Sequence, residues 1–364
     1  MRSVAVIGAG PAGCFSGNLL SRRGFEVHIF EEHQSIGKPV QCTGIVTSSI
    51  NELLKIPGHC IRHHVRAAHI ISPKGYAAVV RFRRPDIILD REGFDRWMGE
   101  EATKAGAKMH TSHRFMGFDG RYCIFSAEKK VIRLKFDYII GADGPLSQVA
   151  KSAGIFGKRR HFQGMQAIVR MKNDGCVKFF PHIGTIGWIV PESPRSVRIG
   201  VMARSGTKKV FWSFIGQQLG SDASSAIREM QGGLIPEYSP GVKTKIGNRI
   251  FLVGDAAGQV KATTGGGIIP GLTAAKALSR AIATGKDYEK EWKQEIGNDL
   301  RLHLLMRKAL DRMGPEDYES MIRMFRRPGL RKALGEADRD EPVRLLFKCL
   351  IAEPRVLGLA RHLF

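Results

Sequence analysis

Residues 4–13 read VAVIGAGPAG. The apolar run at residues 4–7 ends in a glycine-rich turn, and a helical pattern follows from Pro11 to Arg23. Gly24 closes that helix, and EVHIFE at residues 26–31 reads as a second strand, so the chain opens as a βαβ unit. Gly8, Gly10 and Gly13 hold the GxGxxG spacing, with Ala12 between the last two. Gly8 permits the tight turn, Gly10 lets the backbone approach a pyrophosphate, and Gly13 lets helix and strand pack closely. The helix N-terminus stabilises the phosphate charge. Glu31 ends the second strand, where its carboxylate can accept bonds from both ribose hydroxyls of an adenosine and repels a 2′-phosphate. The turn therefore reads as a site for FAD or NAD and not for NADP.

Two more strand-end turns follow. Gly141-Ala142-Asp143-Gly144-Pro145-Leu146-Ser147 closes an apolar strand within residues 135–144. Val253-Gly254-Asp255-Ala256-Ala257-Gly258 closes a buried strand at 249–255, and Thr263-Thr264-Gly265-Gly266-Gly267-Ile268 leads into a helix over 269–284. Residues 91–105 form an amphipathic helix, with Phe94, Trp97, Met98 and Ala102 at helical spacing. The stretch 161–204 is different in kind: HFQGMQAIVRM, CVKFFP, TIGWIVP and VRIGVMA are short strands with few helical signals. A helix is expected at 208–219. Residues 286–364 read as helical, broken at Gly314-Pro315, Pro328, Pro342 and Pro354.

Together these turns resemble the p-hydroxybenzoate-hydroxylase-like FAD oxidoreductases. The resemblance implies an α/β fold: a Rossmann-like FAD-binding domain, an inserted antiparallel β-sheet substrate domain and a helical C-terminal region. The expected division is 1–75, 90–157 and 241–285 for the FAD domain, 76–89 and 158–240 for the substrate domain, and 286–364 for the helical region. The resemblance also implies that Asp255 binds the ribityl chain and that Gly267 and Ile268 face the flavin. Asp143 joins the cofactor site, and Arg91, in the "DRxxFD" segment Asp90–Asp95, lies against the cofactor. Phe115 is implied to contact adenine through its backbone.

Within that superfamily, Pro39-Val40-Gln41-Cys42-Thr43-Gly44 resembles the cysteine-bearing flavin loop of geranylgeranyl reductases, including the archaeal digeranylgeranylglycerophospholipid reductases. Gly187-Trp188-Ile189-Val190-Pro191 and Gly200-Val201-Met202 resemble their YxWxFP…GxG segment, with Ile186, Val190 and Met202 departing from it. The resemblance implies that Cys42, Thr43 and Gly44 adjoin the flavin and that Trp188 and Pro191 line the substrate cavity. It implies saturation of C=C bonds in geranylgeranyl chains of archaeal-type ether phospholipids. An isolated prenyl double bond is not electrophilic, so this chemistry needs a proton as well as a hydride from flavin N5. Thiols are mostly protonated near neutral pH, so Cys42 is the candidate acid; the alternative is a small packing residue beside the ring. Two other readings of function stay open: a flavin monooxygenase acting on an aromatic or prenyl compound, and a non-enzymatic prenyl-lipid binding protein.

Composition narrows the rest. The chain has 364 residues, with 43% hydrophobic and 25% charged, which is globular and long enough for more than one lobe. Six scattered cysteines with no CxxC argue against a disulfide framework and for a reducing cytoplasm. Lys and Arg number 57 against 34 Asp and Glu, a net of +23, of which +19 falls in residues 61–284. No nucleic-acid-binding signature accompanies that charge, so no nucleic-acid partner is expected. Arg344, Lys348, Arg355 and Arg361 alternate with Leu346, Phe347, Leu350 and Leu357. That tail either packs on the FAD domain or lies peripherally on the inner face of an anionic cell membrane. Only one dinucleotide fingerprint is present, so the electron donor (NADPH, reduced ferredoxin or reduced deazaflavin) docks transiently. His59, Cys60, His63, His64 and His69 invite a metal reading through helical i, i+4 spacing, but no carboxylate completes a known set, and no metal is expected. Lys129-Lys130 and the run Lys158–His161 read as solvated loop charge.

Overall fold

The first strand, Ser3–Ile7, runs parallel between Glu26–Phe30 and Tyr138–Gly141. It is apolar from Val4 to Ile7 because both of its faces are covered there. Val4 and Val6 point to a layer built from the helices Pro11–Ser21, Arg91–Lys104 and Ile268–Thr284. Ala5 and Ile7 point the other way, to a core shared with Phe115, Phe125 and Phe136. The computed structural model describes residues 1–128, 130–220, 223–336 and 339–363, so Lys129 and Phe364 lie outside the described residues. The full order of this six-stranded sheet is Lys245–Ile246, Ile250–Leu252, Tyr138–Gly141, Ser3–Ile7, Glu26–Phe30, Lys108–His110. A three-stranded sheet, His113–Asp119, Tyr122–Ala127 and Lys130–Lys135, closes its second face.

The second large element is an eight-stranded sheet. Its order is Ile227–Pro236, His161–Arg170, Ser196–Ala203, Ile186–Ser193, Val177–Phe180, Ile61–Ile71, Ala77–Leu89, Ile45–Val46. The helix Thr207–Leu219 covers one face through Phe211, Phe214 and Ile215, against Val197, Ile199 and Val201.

The strand Ile61–Ile71 corrects the expected domain boundary. It belongs to this sheet and not with the first domain, pairing with Ala77–Leu89 across a turn at residues 72–76 and with Val177–Phe180. His59 and Cys60 lie in the short 3-10 turn Gly58–Cys60 and His63, His64 and His69 on this extended strand, so the i, i+4 spacing is not that of one α-helix. Long-range pairing decided the local structure, as it does when a short segment fits both periods.

In the C-terminal region the prolines mark helix starts. Pro315, Pro328 and Pro342 each open a helix, the position where a missing N–H costs nothing. Among the described residues, no helix is long and apolar enough to cross a membrane.

Candidate functional site

The glycine turn is built by close approach. A Cβ on Gly8, whose φ is +102°, would meet Ala142 O at 2.4 Å, and one on Gly13 would meet Gly8 O at 2.0 Å. Beside Gly10, by contrast, none of the described residues comes within 4 Å of a Cβ position. The helix Pro11–Ser21 begins there with no side-chain cap and no acid in its first turn, so its N-terminal amides are left for a ligand. Ala12 packs against Gly254 and Gly271, which locks this turn to the Asp255 turn.

Glu31 turns its carboxylate back to the turn: Ala9 N–H donates to it at 2.9 Å, and His33 N–H at 3.1 Å. Asp143 is occupied within the chain. It accepts from Ser147 Oγ at 2.6 Å and Val149 N–H at 2.9 Å, fixing the strand-end turn. Phe115 is buried in the core under the first strand, its ring edge-on to those of Phe118 and Phe125.

The Asp255 turn has the other character. Among the described residues none donates a hydrogen bond to this carboxylate, and burial pushes its pKa up to about 6 against the opposing pull of Arg91. A Cβ on Gly267 would meet Asp255 Oδ1 at 2.6 Å. Gly267 and Ile268 begin the 17-residue helix Ile268–Thr284, again without a side-chain cap or an acid in the first turn. These observations fit FAD. Open space beside Gly10 and free helix amides suit a pyrophosphate, a carboxylate free to accept suits ribityl hydroxyls, and a second uncapped helix N-terminus suits a flavin ring that gains negative charge.

Arg91 links this turn to the cysteine loop. Its guanidinium forms an ion pair with Asp95 at 2.8 Å. Burial opposes its charge, but Asp95 and Cys42 outweigh burial and raise its pKa. Cys42 Sγ also accepts from Gly44 N–H at 3.3 Å. The structure thus brings Cys42, Arg91, Asp255 and Gly267 into one neighbourhood.

Residues that sequence reading missed hold the loop in place. Arg198, buried on Ser196–Ala203, donates from Nη1 to the carbonyls of Cys42 at 3.0 Å and Thr43 at 2.7 Å. Its charge is matched by Glu192 at 2.6 Å. Gln166, also buried, accepts from Thr43 Oγ1 at 2.8 Å and from Trp188 Nε1 at 3.3 Å, and donates to Gln231 at 2.7 Å. Trp188 lies across Gly200, its strand-pair partner: a Cβ there would be 2.5 Å from the indole. Pro191 is buried further along the same strand, opposite Val197. One signal was legible: Arg198 is the lone charge inside the apolar run VRIGVMA. A cleft of about 860 Å³ opens beside the loop, walled by Gln41, Arg62, Arg91, Glu192, Arg198 and Gln231.

The histidine cluster does not assemble. Among the described residues, one group could ligate a metal, His69, Asp174 and Cys176, and it shares only His69 with the sequence cluster. Lys178 Nζ already stands 3.5 Å from Asp174 in an ion pair.

Comparison with known proteins agrees with this geometry. A family model described as an FAD binding domain matches residues 1–231. The digeranylgeranylglycerophospholipid reductase of Methanocaldococcus jannaschii is 29% identical, covering 99% of this chain and 97% of its own. The first such reductase of Methanococcoides burtonii is 27% identical over 99% and 95%. Among solved structures, a geranylgeranyl bacteriochlorophyll reductase-like protein from Thermoplasma acidophilum superposes with a TM-score of 0.85 at 18% identity, over 100% and 99% of the two chains. A flavin-dependent halogenase follows at 0.70 and 16%, over 99% and 72%, which reflects the shared fold.

Proposed function

The chain belongs to the FAD-binding domain family, and from that premise we propose that it is a flavin-dependent reductase acting on lipid C=C bonds. Its substrate is the geranylgeranyl chains of archaeal-type ether phospholipids. Support comes from relatives that carry this activity in their names and align with the chain from end to end.

One observation carries the chemistry. The cysteine loop is clamped where the cofactor cradle meets the eight-stranded sheet, by Arg198 on two carbonyls and by Gln166 on Thr43. Bound FAD would supply the hydride. The chain's own contribution is to place the alkene and a proton. Cys42 Sγ holds that proton; the Arg198 clamp fixes the loop backbone and Gly44 N–H the sulfur, so little reorganisation is needed at the moment of reaction. Trp188 presents an apolar wall, its indole oriented by Gln166. Arg91 and the first turn of Ile268–Thr284 place positive potential where negative charge develops.

The electron donor, a nicotinamide, a reduced ferredoxin or a reduced deazaflavin, docks transiently, in keeping with a single GxGxxG turn. The net charge of +23 favours peripheral association with anionic membrane, where the lipid resides.

The test is direct. The purified holoprotein, reduced by dithionite without air, is given digeranylgeranylglyceryl phospholipid, and the lipid is weighed by mass spectrometry. Stepwise gain of hydrogen pairs is expected, with Cys42→Ala and Cys42→Ser retaining flavin but losing turnover. Unchanged lipid overturns the substrate assignment. Gain of an oxygen atom in air would make the protein a monooxygenase. Full activity in both cysteine variants would remove the acid role.

A further inference from the structure

The helix Pro342–Ala352 has two unlike faces. Leu345 and Cys349 turn inward and pack with Leu330, Ala333 and Phe325. Val343, Phe347 and Ile351 turn outward, 42%, 66% and 80% exposed. Their spacing of four residues sets them in one stripe along the helix. A helix that faces only water carries polar groups there. Arg344 and Lys348 flank the stripe, and beyond the helix Leu357 is 63% exposed between Arg355 and Arg361. The neighbouring acids are engaged: Glu341 pairs with Arg344, and Glu353 with Arg327 and Arg355.

We propose that this outer face is the membrane-docking surface of the protein. Phe347 and Ile351 enter the boundary between headgroups and acyl chains, Lys348 meets lipid phosphates, and the exposed Arg344 and Arg355 exchange their partners Glu341 and Glu353 for phosphate. Charge selects this occupant over a second copy of the chain, because two molecules of +23 repel while an anionic bilayer attracts. The proposal rests on the lipid-reductase reading for its purpose but not for its physics.

The docking helix is tied to the site. Two residues before Pro342, the buried side chain of Asp340 accepts from Thr47 Oγ1 and pairs with Lys261 Nζ. Thr47 follows the Cys42 loop, and Lys261 lies in the segment leading to Gly267. Arg339, next to it, pairs with Asp86 on the eight-stranded sheet. A face seated on lipid is thus anchored to both loops that adjoin the flavin site.

The experiment is co-sedimentation of the holoprotein with vesicles of phosphatidylglycerol or of phosphatidylcholine. The wild type is expected to bind the anionic vesicles, to ignore the neutral ones, and to lose binding as salt rises. Phe347→Ser/Ile351→Ser should weaken binding about tenfold or more. Arg344→Glu/Lys348→Glu, which keeps the apolar stripe, should remove the salt-sensitive part. Both variants should keep their FAD and their activity on detergent-dispersed lipid. Wild type that ignores anionic vesicles, or a Phe347/Ile351 variant that binds as wild type does, overturns the proposal. So does a dimer that the variant converts to monomer while vesicle binding persists. Vesicle binding that behaves as expected, with no lipid reduced in either setting, upholds docking and sinks the reductase reading instead.

Discussion

The cradle around Gly8, Gly10 and Gly13 and the sheet face that holds Cys42 are built on opposite plans. In the cradle, backbone meets backbone: Gly13 against Gly8, Gly8 against Ala142, and two helices left uncapped. At the sheet face, side chains from distant strands reach the loop: Arg198 spans 156 residues to Cys42, and Gln166 spans 123 to Thr43. The cradle needs absence of bulk, and the sheet face needs specific donors. Damage to the first should therefore cost the cofactor, and damage to the second should spare the cofactor and cost catalysis.

Gly13→Val breaks the cradle outright. With Gly8 O at 2.0 Å from even a Cβ, no relaxation accommodates it, and the variant should purify colourless or insoluble. A yellow, soluble Gly13→Val protein would dissolve the contrast.

Arg198→Met is the matching blow to the sheet face. It leaves Glu192 without its partner and two carbonyls without a donor, a loss of about 3–5 kcal/mol for a broken buried pair. Turnover should collapse while flavin remains bound, and the double variant with Glu192→Gln should regain stability but not turnover. Loss of flavin in Arg198→Met at native stability would count against the division of labour.

Gly200→Ala sharpens the comparison, because it tests close approach inside the sheet. Its methyl displaces the Trp188 indole and breaks the bond to Gln166, at about 1–3 kcal/mol. Shifted tryptophan fluorescence and reduced turnover with full flavin content are the expected signature.

The smallest effect concerns pH. His303, buried beside Thr263 at 2.7 Å, is pulled down to about 3 by burial and by Lys261. The unfolded chain binds this proton near the ordinary value of 6.5 and the native state does not. The stabilising contribution is therefore full above 6.5 and is lost as pH falls toward 3. Asp255 acts with the opposite sign: its raised pKa favours the folded apoprotein at low pH, and that advantage fades as pH rises from 3.8 to about 6. Urea midpoints of apoprotein at pH 5 and 7 should separate the two. His303→Leu should flatten the acid loss, and Asp255→Asn should steepen it.

Legibility followed the same division. Glu31, Asp255, Gly267 and the cysteine loop could be located because each sits in a short motif beside its own strand or helix. The strand Ile61–Ile71 was legible only at its end, where residues 69–72 and 77–82 read as β-like runs around Pro73-Lys74-Gly75; its start at Ile61 and its partner Val177–Phe180 are set by long-range pairing. Asp143 stands out as a motif residue, and its bonds to Ser147 and Val149 add a turn-fixing role that spacing does not reveal.

The sequence by itself determined the βαβ start, the dinucleotide turn, the largely antiparallel second sheet and the helical tail, because local periodicity and glycine chemistry act over a few residues; the one parallel pairing, Val177–Phe180 with Ile61–Ile71, it did not. Only the tertiary structure decided that Arg198 and Gln166 hold the cysteine loop and that Phe347 and Ile351 remain bare. Both follow from which strands and helices pair across the chain, and that pairing is settled by collective burial.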